Sequence, residues 1–531
     1  MSSEKHANLG LHKWASTDGV LRTEFNDNFG KIDAKVAGIG DVTLIPQATV
    51  VDALKNTTAE LEIRGVNVKE ERFGAKGDWD GTNGTDDTAA IQSAIDYAYA
   101  NKISEVLIPD GVYLIDCLVN VFVKSNITLK LSPNAQLKAK TNNVDRYYML
   151  NIENATNVKV IGGTLTGERD THQGTVGEWG YGIRVSGSTH VEISDIKIEK
   201  FWGDGIALVS YNGTPCEYVT IRNIVSDSNR RQGISLIRCK NTKVLDSVFS
   251  NTNGAAPEAG IDIEPDPTMA DSENITVKGC TLFGNKGSGI MVTFNVINSK
   301  ISENNCFGNK DGIYVVGDVA DAARQPKGID ISDNICNNNL RNGIRIEYVK
   351  NTNVLNNIVK NNLDRGLNVY TLENGKIERN HVEGNTLTGI YVQLNSKNVH
   401  VLRNVLKGNG GSAGLLVNQS TTNCTVSNNQ IEGTNTYAIL VNDATVAGVN
   451  ITDNDLSLFT GTTKILNNGI NCLVSDSKTK GGLVTAIPTT GTWEKGQILY
   501  NSAPTAGGKL GWVCITAGSP GTWKGFGAID A

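Results

Sequence analysis

Gly182-Ile183-Arg184-Val185, Gly205-Ile206-Ala207-Leu208, Gly233-Ile234-Ser235-Leu236 and Gly260-Ile261-Asp262-Ile263 are four versions of one phrase. Its apolar anchor returns at Ile290, Ile313, Ile344, Leu367, Ile390, Leu415 and Ile439, with steps of 23, 28, 27, 29, 23, 31, 23, 23, 25 and 24 residues counted from Ile183. A period this short marks a unit that cannot bury its apolar face alone, so successive units must stack as rungs. Within each rung the anchor and the residue two places later are apolar, while the residue between them varies and is often polar. Strand alternation then places the aliphatic pair inward and the intervening residue outward. The chain reads as an all-β solenoid whose rungs dominate from about residue 117 to 475.

A second column agrees with the first. Asn304, Asn334, Asn357, Asn380, Asn404, Asn429 and Asn454 each stand three places after an apolar strand residue. Stacked Asn side chains can bond up and down such a column, so these are read as structural. Glycine is abundant, with 57 residues, and Pro and Met are scarce, which suits turns between strands. A net charge of −6 without a basic tract argues against a nucleic-acid partner. The nine cysteines are scattered, odd in number and without CxxC spacing, and are read as reduced apolar fillers. No apolar run reaches the roughly 18 residues of a membrane span, and the first residues carry no signal-peptide core.

Both ends differ from the rungs. In residues 1–70, Phe25, Phe29, Ile32, Val36 and Ile39 follow coiled-coil spacing, with a second seam through Val51, Leu54, Thr58 and Leu61. The segment is either a helix packed on its own chain or a short oligomerisation stem. The 71–480 domain opens on a Gly/Asp loop and a helical cap over 86–101, which would cover the first sheet edge. Residues 481–531, with Trp493, Trp512 and Trp523 between Gly/Pro turns, read as a small β module.

Phe73-Gly74-Ala75-Lys76-Gly77-Asp78, then Thr85-Asp86-Asp87-Thr88-Ala89-Ala90-Ile91-Gln92-Ser93-Ala94-Ile95 and Val106 through Ile115, closely resemble the opening of the pectate-lyase-like superfamily. The resemblance implies a right-handed, single-stranded parallel β-helix over roughly 70–470, a fold shared by lyases, hydrolases, epimerases and inactive scaffolds. Asn8 through Trp14 and Glu24 through Asp33 look like the virion-proximal segment of phage tail proteins. The Gly-Thr-Trp and Gly511-Trp512-Val513-Cys514-Ile515 pieces are similar to tailspike end modules. Together they imply a tailspike or tail appendage. Such proteins are typically homotrimers, attached to the tail or baseplate through the N-terminus, and often cleave host surface polysaccharide. The location implied is the virion tail, acting outside the bacterium.

On such a solenoid a sugar chain lies across rungs about 4.8 Å apart. Carboxylates one or two rungs apart can then flank one glycosidic bond. Asp262 and Glu264, two apart on one strand and outward by alternation, are the central catalytic candidates. Closely placed like charges push one pKa up, giving one group to donate a proton and one to stay ionised. A solvated acidic pair or a calcium site, with Asp266 nearby, is the alternative. Asp204, two places before its anchor, either completes a carboxylate triad or is an Asp-Gly turn residue. Asp311 stands in the same relative position.

Arg230, Arg231 and Arg238 either bind an acidic sugar or phosphate, supply the base for β-elimination, or pair with nearby acids. The loop from Gly167 to Gly182 offers Glu178 and Trp179 as substrate contacts, with Glu168, Asp170 and His172 beside them. Loops on rigid scaffolds often carry function. His172 is read as a structural hydrogen-bonder. Arg345 and Glu347, three rungs on, suit a distal subsite, and Tyr314 a sugar platform. No His pair, nucleophilic Ser motif or phosphate loop appears. No metal or cofactor is expected, unless a lyase reaction brings in Ca2+. The activity expected is glycoside hydrolysis of a bacterial surface or extracellular polysaccharide. A polysaccharide lyase, a teichoic-acid-cleaving enzyme and a non-catalytic glycan receptor are the alternatives.

Overall fold

The computed structural model describes residues 65–265, 271–475, 480–490, 493 and 495–531, together with Glu4–Lys5, His12–Lys13, Asp27 and Lys31. The two coiled-coil seams, Asp266 and most of both tail-like segments lie outside the described residues. Two compact units separate at Gly65. In the first, Glu4–Lys5 pairs antiparallel with His12–Lys13. The second, Val66–Ala531, holds the solenoid.

Its rungs pair in parallel and in register. Ile183, Ile206 and Ile234 are successive partners, followed by Ile261, Ile290, Ile313, Ile344, Leu367, Ile390, Leu415 and Ile439. A separate thirteen-stranded sheet of short strands, from Gly111–Ile115 to Gln430–Glu432, forms another wall. The anchors are fully buried in one continuous aliphatic core.

Two bends flank the short strands of that wall, and in the later rungs, from about residue 300, both use one device. A residue in the left-handed region, such as Glu303 (φ 58°) or Asp333 (φ 59°), turns the chain just before a buried Asn. The Asn side chain then bridges rungs. Asn334 Nδ2 donates to the Ile301 carbonyl and to Asn357 Oδ1, while Asn357 repeats the pattern onto Ile331 and Asn380. The column expected from the sequence is continuous from Asn304 to Asn454. A parallel ladder through Asn285, Asn309, Asn339, Asn362, Asn385 and Asn409 holds the second bend.

The Gly of each phrase also points inward. A Cβ on Gly205 would stand 2.4 Å from Ser226 Oγ and 2.7 Å from the Gly233 carbonyl. Two consecutive inward positions, Gly then Ile, mean that the residue before the Gly faces out. This bend is what turns Asp204 onto the outer wall.

The cap helix, α1, spans Thr88–Ala100 and buries Ile91, Ala94, Ile95 and Ala98. It packs on strands Val66–Asn67, Glu105–Ile108 and Val121–Phe122, where an open edge would otherwise stand. Asp86 accepts from the Thr88 amide at 3.1 Å, and buried Asp87 accepts from the Lys76 and Gly77 amides at 2.6 and 2.9 Å. The Asp-Asp pair therefore fixes both the helix start and the preceding Gly-rich loop. All nine thiols are free, eight of them buried. Four strands from Lys480–Val484 to Thr522–Ala528 form a separate sheet at the C-terminal end, with Leu499, Cys514 and Trp523 at its core.

Candidate functional site

The outer column beside the anchors reads Arg184, Ala207, Ser235, Asp262, Met291, Tyr314, Arg345, Asn368 and Tyr391. At its centre the structure gathers Glu178, Asp204, Ser235, Asp262 and Glu264 around one guanidinium, that of Arg231. Arg231 Nη1 lies 3.2 Å from Asp204 Oδ2, Nη2 2.5 Å from Glu264 Oε1, and Nε 3.5 Å from Glu178 Oε2. Ser235 Oγ donates to Asp204 at 2.8 Å, and Gln232 Nε2 donates to Asp262 Oδ2 at 2.6 Å. The side chains of Asp204 and Glu264 come together although their strands are two rungs apart, because the long Arg231 side chain joins them.

The three catalytic candidates differ in access. Asp204 and Asp262 are fully covered, whereas 23% of the Glu264 side chain remains open to solvent. Asp262 does face the outer side, between inward Ile261 and Ile263, but the open position expected for it is corrected. Gln232, Arg231 and Glu264 crowd it, and no donor among the described residues reaches its Oδ1, so a contact with Glu264 there requires a proton on one of the two carboxyls. Burial pushes Asp262 well above the carboxylate range, helped by the Glu264 charge and by hydrogen bonding to Glu264, against the pull of Arg231. Burial likewise drives Asp204 up to about 7, with Arg231 and Ser235 opposing it. Desolvation alone would lower Arg231, but the Asp204 and Glu264 charges reverse this and raise it. Both shifts favour the protonated form on the buried side of the centre, beneath solvent-reaching Glu264.

The Asp204 shift has a measurable consequence. Folded Asp204 keeps its proton to about pH 7, while the unfolded chain loses it near 3.8. Stability from this group is therefore complete at low pH and falls as pH rises from about 4 to 7. The gap corresponds to about 4 kcal/mol. Asp204→Asn should flatten the wild-type decline in denaturant stability between pH 4 and 8 by up to that amount. Parallel pH profiles for the two proteins would refute the assignment.

The arginine cluster expected from the sequence does not exist as one. Arg231 is neutralised inside the centre and is not free to hold substrate or act as a base, and Glu178 is committed to it. Arg230 lies over the Trp202 ring at 3.9 Å and donates to the Gly177 carbonyl. Arg238 bonds the Gly213 carbonyl, away from the acids. Trp179 is half-buried, with Arg146 over its ring at 4.6 Å. Tyr148 and Tyr181 stack on each other at 5.7 Å, two rungs and one rung before Asp204. Glu168 and His172 pair at 3.0 Å with both side chains covered, and His172 stacks on Trp202 at 3.9 Å, a structural role for that loop.

Three rungs beyond Asp262, about 14 Å away at strand spacing, a second polar group forms. Tyr314 donates its hydroxyl to Glu347 at 2.7 Å, and Arg345 donates to Glu347 at 2.8 and 2.6 Å while covering the Tyr314 ring. Asp311, fully covered, accepts from Asn342 beside them. Past Tyr391 the outer wall becomes apolar through Ala413, Leu416 and Leu440. Gln232, Ser235, Arg146 and Trp202 were not singled out by the sequence. The register of Ser235 with Asp262 was the one signal that could have found any of them.

A family model for the right handed β-helix region matches residues 98–264, 256–374, 323–456 and 364–480. An uncharacterised protein of Bacillus subtilis strain 168, YclG, is 29% identical over 237 residues, 39% of this chain and 40% of that protein. The capsule K3-specific depolymerase 1 of Klebsiella phage KP32 is 53% identical over 51 residues, 9% of this chain and 6% of that protein. The chain thus matches less than half the length of these curated relatives. Pre-mature gene product 12 of bacteriophage phi29 shares the fold, with a TM-score of 0.58 at 18% identity, over 80% of this chain and 58% of that one.

Proposed function

The chain belongs to the right-handed β-helix family, and from that premise we propose that it is a phage tail depolymerase hydrolysing a bacterial surface or extracellular polysaccharide. The observation that carries this reading is the division of labour around Arg231. Asp262 is biased to hold a proton, while Glu264, open to the trough, is ion-paired with the guanidinium. One group that donates and one that accepts are what glycosidic cleavage requires. Half-buried Tyr148 and Trp179 on one side, and Tyr314 on the other, line the outer wall with aromatic and arginine-capped surface that a sugar chain can pack along. The partial match to a capsule depolymerase agrees with this substrate class.

A β-elimination would need an unprotonated base to take the sugar ring proton, and Arg231 is held in its charged form by the Glu264 and Glu178 carboxylates and by Asp204. Incubation with a panel of purified capsular and extracellular polysaccharides separates the readings. Hydrolysis yields new reducing ends without ultraviolet absorbance and continues in a chelator. Unsaturated products would replace hydrolysis with lyase chemistry. Binding of a glycan without any product, across a broad panel, would make the protein a receptor-binding spike.

The assembly proposed is a homotrimer, carried on the tail through residues 1–70. The short-strand wall supports it. Ile335 and Ile358 open neighbouring strands of it, and Leu340 and Leu363, just past the ends of those strands, are 58% and 60% exposed, with exposed Leu387 following on the next rung. A stripe of this kind is unfavourable in water unless covered. Light scattering should give three times the 56.8 kDa chain mass. Leu340→Asp with Leu363→Asp should shift the protein to monomer, and an unchanged mass would exclude this wall as the interface.

A further inference from the structure

Two arginines beside the centre are left without counterions. Arg169 Nη1 donates to the Ser228 carbonyl at 2.6 Å and the Asn229 carbonyl at 3.3 Å, and its Nη2 donates to Asn253 Oδ1 at 2.6 Å. Arg230 Nη1 donates to the carbonyls of Gly177 at 2.6 Å and Trp202 at 3.4 Å. Among the described residues neither forms an ion pair, in contrast to Arg184, Arg231, Arg324 and Arg345, each of which has a carboxylate partner.

The two share one notch. A Cβ on exposed Gly254 would stand 2.9 Å from Arg230 Cγ and 3.7 Å from Arg169 Nη2. Gly254 has φ 123°, a conformation that L side chains rarely adopt, so no side chain stands at this position; its amide donates to Glu258 Oε1 at 2.8 Å, a carboxylate already paired with Lys286. Burial lowers the basicity of both groups and the Arg169 charge lowers Arg230 further, against the weaker pull of Asp170 and Asp227 on Arg169 and of Glu178 on Arg230, none of which comes within ion-pair distance of these two. Two half-buried like charges brought together carry a cost that a bound anion recovers through charge-assisted hydrogen bonds.

The notch borders the reaction centre. Consecutive arginines touch consecutive loop residues, Arg230 the Gly177 carbonyl and Arg231 the Glu178 carboxylate. The centre itself holds more carboxylates than cations and repels an anion, so an anionic group on the substrate is directed to the arginine side.

We propose that Arg169 and Arg230 form an anion subsite that grips a carboxylate or phosphate group of the glycan beside the bond to be cleaved, which makes the substrate an acidic polymer. The assignment of that anion to a substrate rests on the depolymerase reading, but the site can be tested without turnover.

The test is titration of the full-length protein with glucuronate, with inorganic phosphate and with neutral glucose, followed by ligand-observed NMR. One of the two anions is expected to bind where glucose does not, and to weaken steeply as salt rises. Preference for glucuronate assigns a uronate-type polymer, and preference for phosphate a phosphodiester-containing one. Arg169→Gln and Arg230→Gln should each weaken binding about tenfold, the loss of one charge-assisted bond, while Arg238→Gln leaves it unchanged. Arg230 also packs on Trp202, so if its variant does not fold, Arg169→Gln alone decides. Absence of anion binding, or equal binding by the Gln variants, overturns the subsite. Anion binding without cleavage of any polymer overturns only the depolymerase reading.

Discussion

Glu264→Gln and Asp262→Asn, each nearly isosteric, are expected to lower the rate of polysaccharide cleavage by about 10²–10⁴-fold, the usual worth of a positioned acid or base. A thousandfold loss corresponds to about 4 kcal/mol of barrier. Glu264 is the one of the three acids that reaches solvent, so its loss removes the group that faces the substrate. The amide introduced by Glu264→Gln would remain beside Arg231 but carry no charge to accept a proton. The amide introduced by Asp262→Asn can still accept from Gln232 through its carbonyl oxygen, so the rung should stay intact while the acidic proton is lost. Reducing-end release per unit time measures both, with thermal melting as the check on folding. Retention of more than a tenth of the wild-type rate by either variant would remove that residue from the reaction.

The largest stability effect is expected at the Asn ladder. Asn357 is fully covered, accepts from the Asn334 amide and side chain at 2.9 and 3.0 Å, and donates to the Ile331 carbonyl and Asn380 Oδ1 at 2.9 and 3.0 Å. Asn357→Leu matches the volume but leaves several buried polar groups without partners. At about 1–3 kcal/mol for each orphaned group, the cost is at least about 3 kcal/mol. Asn353→Ala, whose side chain bonds Asp330 at the surface, should cost under about 1 kcal/mol. Denaturant unfolding of the two variants gives the comparison. A similar small cost for both would mean that the ladder does not hold the rungs.

The period of the anchors sufficed to read the solenoid, because apolar burial repeats with the strand. The Asn304–Asn454 column was legible for the same reason. Its twin through Asn309 and Asn339 was not, since those residues follow turn positions occupied by Gly or Asn and merge into the loop composition.

At the site, alternation correctly put Asp262 and Glu264 on one outer wall. It gave no access to Asp262's cover, which comes from Arg231 and Gln232 on the preceding rung. Asp204 was ambiguous because strict alternation from Ile206 would turn it inward, and only the doubly inward Gly205-Ile206 step turns it out. The reach of Arg231 across two rungs depends on side-chain length, which register does not encode. For that reason one arginine proved to be the hub of the acids, while its neighbour Arg230 turns to the Trp202 ring and the Gly177 carbonyl.

The paired Asn bends lie five residues apart in rung after rung, at Asn304 and Asn309, Asn334 and Asn339, Asn357 and Asn362, Asn380 and Asn385, and Asn404 and Asn409. All variation in rung length is therefore confined elsewhere, in segments such as Ser210–Pro215, Asn253–Glu258 and Gly317–Pro326 that border the outer wall. Those segments can thus change in length without disturbing the Asn bends, so the outer wall can be reshaped while the stacking beneath it is kept.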